Sequence, residues 1–208
     1  FATLAPVLRD AYVLANNTPN IIYELILGGV LTATLVPLFT EFTETDDDES
    51  TSAVVSAAIV ALVALTLLAF VATPALMALY ASNTPEGVSR GEFLSVGLRL
   101  ALLFAPQVFF YGAMAVGSAL LNSRRRFFAA AWAPVLNNVV VLSVLVAAAV
   151  IGGRVDIDDV QTSTPLLLLI GLGTTAGIAV MAMVLLPALR RAGVAVRFRV
   201  DLRHPAVR

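Results

Sequence analysis

The chain has no cysteine and no lysine, and its single histidine is His204. Without cysteine, disulfides and thiolate metal sites are excluded. One histidine in the C-terminal tail, beside Pro205, cannot build a metal cluster. Charge is also scarce: Asp, Glu, Lys and Arg make up 13% of the 208 residues, about half the ~25% of a soluble domain. A net charge of -1 offers nothing to nucleic acid. Also missing are a Gly-rich phosphate loop ending in Lys-Ser/Thr, an HExxH pair and a Ser/His/Asp set, so no enzyme constellation, cofactor or metal is expected. The run "GLGTTAG" superficially matches GxGxxG. It lies inside a hydrophobic stretch with no strand before it, so small-residue helix packing is the better reading.

What the chain does have is apolar surface. Hydrophobic residues reach 59% and mean hydropathy is +0.92. Transmembrane helices need ~20 mostly apolar residues, and the sequence predicts five such spans in an all-α, polytopic membrane helix bundle. They cover about 8–42, 53–80, 93–121, 128–151 and 165–189 within a bundle of 1–192. Residues 193–208 alternate Arg with apolar side chains and are expected to lie on the membrane surface as an amphipathic, cytoplasmic-side linker. The first span is long enough to carry a tilt or an elbow, with Pro19 and Gly28-Gly29 as its natural bend points. The acidic stretch "ETDDDEST" precedes the second span; its acids suit the helix dipole, and Ser50, Thr51 or Ser52 is the expected cap. Residues 152–164 read as a polar loop. The chain starts at Phe1 and stops within an Arg-bearing stretch, so it is expected to be a piece of a longer protein.

Arginine in short loops sets the orientation. Arg124, Arg125 and Arg126 form a basic turn, and the tail holds Arg190, Arg191, Arg197, Arg199, Arg203 and Arg208. Two spans separate turn from tail, so both fall on the cytoplasmic side. The loops with Arg90 and Arg154 fall on the other.

The polar exception is "RDAYVLANNTPNIIYELILGG". At 100° per residue, Asp10, Asn17, Asn20 and Glu24 fall within an arc of about 80°, and Gly28 continues that face. Tyr12, Leu14, Ile21 and Ile26 are read as the opposite, apolar side. Ionisable groups in a span cost ~2.5–3.5 kcal/mol each on insertion scales and face a bundle interior or a watery cavity. A lone Asn reads as glue between helices; four groups on one face read as a cavity wall. Arg99 shares a face with Glu92, so it pairs with that acid, faces an anionic substrate or snorkels to the interface. Gln107 and Tyr111 share a face and either pack or line. Asn137 and Asn138 follow Pro134 and either satisfy backbone groups freed there or contact substrate. Arg99, Gln107 and Asn137 therefore join the stripe as candidate lining residues.

Two blocks carry a family resemblance. "DAYVLANNTPNIIYELILGGVLTATLVPLF" resembles the second-helix signature of the bacterial lipid II flippase family, MurJ (also called MviN), through Asp10-Ala11-Tyr12, Pro19-Asn20, Gly28-Gly29 and Val36-Pro37. "LLNSRRRFFAAAWAPVLNNVV" resembles the family's stretch between helices four and five, through Leu121-Asn122, Arg126-Phe127, Ala133-Pro134 and Asn137. The tail is similar to the link into the family's seventh helix. The resemblance implies helices two to six of a fourteen-helix, two-lobed fold in the bacterial cytoplasmic membrane. It implies transport of an undecaprenyl-pyrophosphate-linked peptidoglycan precursor between leaflets, with membrane lipids and cell-wall synthesis proteins as candidate partners. It also implies a functional role for Asp10. One departure stands out: the commoner family form has two arginines where this chain has Tyr23 and Glu24. An exporter of another polyprenyl-linked glycan or of a drug, and a non-transporting cell-wall scaffold, are the alternatives.

Overall fold

The computed structural model describes residues 4–24, 30–80, 89–153, 155–198 and 205–207. These residues form an all-α bundle of α1 (Pro6–Tyr23), α2 (Val30–Glu44), α3 (Asp48–Tyr80), α4 (Arg90–Phe104), α5 (Gln107–Ser123), α6 (Phe127–Gly152), α7 (Ile157–Thr162), α8 (Thr164–Met183) and α9 (Leu185–Arg191), with a 3-10 turn at Pro205–Val207. The one extended pairing among the described residues is a parallel bridge between Leu4 and Val155.

Among the described residues, four stretches are long and apolar enough to cross a membrane: Asp48–Tyr80, Arg90–Ser123, Phe127–Ile151 and Thr164–Arg191. They match the second to fifth predicted spans. The first predicted span, about 8–42, is not among them: its described parts are two shorter helices, α1 and α2, on either side of residues 25–29, and Gly28 and Gly29 lie outside the described residues.

Two spans are broken helices. The predicted span 93–121 divides at Ala105-Pro106 into α4 and α5, because proline cannot donate the next backbone bond. The last span divides at Val184, three residues before Pro187, into α8 and α9. By contrast, Pro19, Pro37, Pro74 and Pro134 sit inside helices that continue through them.

Two local expectations are revised. The cap of α3 is Asp47, which accepts from the Ser50 N–H at 2.9 Å. Asp48 and Glu49 are already in the first turn, so Ser50–Ser52 are helical rather than capping. The 152–164 loop contains α7, closed by a capping box of Asp156 and Asp159; a single helical turn carries too little periodicity to stand out in a polar sequence.

The membrane reading explains why α3 and α6 are oily all round. In α3, Leu62, Ala69, Thr73 and Met77 are buried, while Val63, Leu67, Leu68, Val71 and Leu79 are exposed. In α6, Val135, Val139, Leu142, Val146 and Val150 are exposed along one stripe. Helices with apolar outer faces suit acyl chains. Inside, α6 and α8 pack extensively. A Cβ on Gly177 would stand 2.6 Å from Asn137 Oδ1, so only glycine permits that approach.

Candidate functional site

Helix α1 starts at Pro6, a favoured first helical residue. The preceding Ala5 N–H donates to the Val155 carbonyl at 2.8 Å, anchoring the helix start to the α6–α7 connection. One arc of α1 is packed: Leu8, Ala11, Tyr12, Ala15, Thr18 and Pro19 are buried. Ala11 and Ala15 let α1 lie close on α4, and the Tyr12 ring meets Phe104 edge-on at 5.4 Å.

The opposite arc is open. Asp10, Asn17 and Glu24 are exposed and Asn20 is half-buried. The Asp10 carboxylate stands 3.6 Å from Arg9 Nε, in a pair about half exposed, which adds little to stability. Asn20 Nδ2 donates to Glu24 Oε1 at 3.1 Å. Val13 and Ile21 interleave with these polar groups and are exposed too; Ile21 is therefore not on the opposite side as expected, because eleven residues past Asp10 bring it back to within about 20° of that face. From Asp10 to Glu24 the arc runs about 21 Å at ~1.5 Å per residue. At its margin Asn16 is half-buried, with an enclosed Oδ1 that has no hydrogen-bond partner among the described residues.

The other predicted lining residues are not gathered on this arc. Gln107 is fully buried at the α4–α5 break, where its Nε2 donates to Thr175 Oγ1 at 3.2 Å. Thr175 Oγ1 in turn donates to the Leu103 carbonyl at 2.7 Å, in the helix turn just before the break. Next to it, Thr174 Oγ1 gives its only proton to the Ile170 carbonyl at 2.7 Å. The Tyr12 hydroxyl, 2.9 Å from that oxygen, must therefore be the donor. Tyr12, Gln107, Thr174 and Thr175 thus form a buried polar seam where α1, α5 and α8 meet. Gln107 Oε1 and Asn137 Oδ1 are enclosed without a hydrogen-bond partner among the described residues. Asn137 packs against Gly177, whereas Asn138 is exposed.

Arg99 does not pair with Glu92. Its Nη1 donates to the Gln161 carbonyl of α7 at 3.4 Å. It rims an apolar groove of about 450 Å³ with Phe70 of α3 and Leu168 and Leu172 of α8, away from α1.

Sequence reasoning treated Thr174 and Thr175 only as small packing residues. The signal available was two adjacent hydroxyls in the one Gly-rich stretch of an apolar span.

Residues 4–208 match the family described as lipid II flippase MurJ. The chain belongs to the MurJ lipid II flippase family. Membership and the four apolar spans together make it a multi-pass membrane protein of a transport family linked to peptidoglycan biosynthesis. The matched residues include α1 and its open polar arc.

Proposed function

We propose that the chain takes part in flipping lipid II, the undecaprenyl-pyrophosphate-linked peptidoglycan precursor, across the bacterial cytoplasmic membrane by alternating access. It acts in transport and not as an enzyme. The lipid tail stays in the bilayer throughout. The pyrophosphate, sugars and peptide need a wet, polar-lined path, because charged groups are costly in hydrocarbon. The observation that carries this reading is the position of Asp10, Asn17, Asn20 and Glu24 on the unpacked arc of α1. Asp10 and Glu24 accept hydrogen bonds from sugar hydroxyls or peptide amides, and Asn17 and Asn20 both donate and accept. Pro19 and the Gly28-Gly29 pair are the proposed hinge that lets this helix rock between its two orientations. Arg99, Gln107 and Asn137 then act behind the wall, by holding α4, α5, α6 and α8 in register.

The test is a leaflet-translocation assay on the full-length protein carrying Asp10→Ala. The expected result is a loss of lipid II flipping of about tenfold or more, equal to ~1.4 kcal/mol of lost interaction. Unchanged translocation would remove the proposal.

A second reading has its own observation. Among the described residues, the cation nearest the arc is Arg9, and it faces Asp10; the family's usual arginine pair is replaced by Tyr23 and Glu24. That favours a cargo whose glycan matters more than its pyrophosphate, such as another polyprenyl-linked glycan. Competition by lipid II analogues differing only in the sugars separates the two. A cell-wall scaffold, in contrast, would leave translocation intact when the protein is depleted.

A further inference from the structure

The α5–α6 turn closes as the α2–α3 turn does, where the Asp47 N–H donates to the Phe42 carbonyl at 2.8 Å and Asp46 has φ 52°, but its side chains are arginines. Helix α5 ends with the Arg126 N–H donating to the Leu121 carbonyl at 2.8 Å and the Arg125 N–H to the Asn122 carbonyl at 3.0 Å. This closure puts Arg125 at φ 58°, in the left-handed region, where glycine would be free of strain. The three arginines then divide their tasks. Arg124 is spent on structure: its Nη1 donates to the Ala192 carbonyl at 2.9 Å, and its Nη2 stands 4.0 Å from Asp48 Oδ1. That clamp brings the end of α9 alongside the turn.

Arg125, Arg126 and Arg191 are exposed, and none forms an ion pair among the described residues. Together with Phe127, Phe128, Ala129, Ala188 and Ala192 they line a groove of about 480 Å³. Helix α6 begins in this groove, and its N-cap, Arg126, makes no side-chain cap. Free N–H groups at the start of a 26-residue helix favour an anion. On the groove wall, Phe127 and Phe128 are 59% and 76% exposed, and Phe128 lies 5.9 Å from Trp132. The apolar stripe from Val135 to Val150 continues along the same helix.

We propose that this groove holds an anionic phospholipid of the cytoplasmic leaflet. Its phosphodiester sits among Arg125, Arg126, Arg191 and the α6 N-terminus, and its acyl chains run along the outer face of α6. The chemistry is a phosphate beside an aromatic belt, at the depth where headgroup and chain meet. A resident lipid fits better than the transported cargo, because α6 packs on α5, α8 and α9, whereas the open polar arc belongs to α1, which packs on α3, α4 and α5.

The experiment is native mass spectrometry of the full-length protein titrated separately with phosphatidylglycerol, phosphatidylcholine and undecaprenyl pyrophosphate. Each arginine near a phosphate is worth about fivefold in binding. Arg125→Gln should weaken phosphatidylglycerol retention about fivefold, and the triple Arg125→Gln, Arg126→Gln, Arg191→Gln variant ~100-fold. Phosphatidylcholine and undecaprenyl pyrophosphate should bind both variants as they bind the unaltered protein, and Arg90→Gln should change nothing. Unchanged phosphatidylglycerol retention in the triple variant overturns the proposal. A loss of undecaprenyl pyrophosphate binding, alone or together with the phospholipid, also overturns it, by assigning the groove to cargo.

Discussion

Helices α1 and α6 both show one side to the outside of the bundle, and the two sides have opposite chemistry. The outward stripe of α6 is Val135, Val139, Leu142, Val146 and Val150. The outward arc of α1 is Asp10, Asn17, Asn20 and Glu24, with Val13 and Ile21 between. A bundle surrounded only by lipid would be apolar on every flank, since each exposed carboxylate costs ~2.5–3.5 kcal/mol at mid-bilayer. The contrast supports the proposal of two surroundings for one bundle: acyl chains against α6, and a polar space against α1. The proposed lipid site at the α5–α6 turn would lie where the lipid flank meets the headgroups.

The strongest way to break that contrast is to place the same charge on both flanks. Val139→Arg on α6 should cost ~2.5–3.5 kcal/mol of membrane insertion, read as the inserted fraction in a glycosylation-mapping assay. Asn17→Arg on α1 should insert like the unaltered protein. Equal losses would mean that both flanks meet lipid.

Next in size are changes behind the wall. Gly177→Ala would push a methyl into Asn137 Oδ1, at 2.6 Å. Overpacking of this kind costs ~1–3 kcal/mol, visible as a lower thermal midpoint of the full-length protein in detergent. Thr175→Val removes the partner of both the Leu103 carbonyl and Gln107 Nε2. That should cost ~1–2 kcal/mol and loosen the α4–α5 break. Thr175→Ser keeps the hydroxyl and should restore most of the loss. The smallest effect is expected for the Asn20–Glu24 pair. Asn20→Ala should change stability by no more than about 0.5 kcal/mol, because that hydrogen bond is exposed. A drop in translocation without a drop in midpoint would then separate transport from packing.

Much of this was legible in the sequence. Hydropathy and length located α3, α4–α5, α6 and α8–α9, because bilayer thickness imposes a minimum apolar run. Helical periodicity set Tyr12 opposite Asp10, as on any α-helix, but Ile21, expected beside Tyr12, is exposed on the polar arc. The resemblance of the Asp10–Phe39 and Leu120–Val140 stretches led to the family. The seam was less legible: Gln107 meets Thr175 across 68 positions, and no local pattern encodes a contact between distant spans. Arg99 offered three readings, and the choice fell to a backbone carbonyl on α7, a helix too short to be seen beforehand. The cap at Asp47 was missed by a few residues, the usual uncertainty of a helix end.

The most direct measurement uses the chain's lack of cysteine. Single cysteines at Asn17 and Val139, in full-length protein otherwise free of cysteine, are exposed in intact membranes to a membrane-impermeant maleimide. Rapid labelling of the Asn17→Cys protein and protection of Val139→Cys is the predicted result, because thiolate forms only where water reaches. Protection of both positions would place lipid against α1 and contradict a polar path along it.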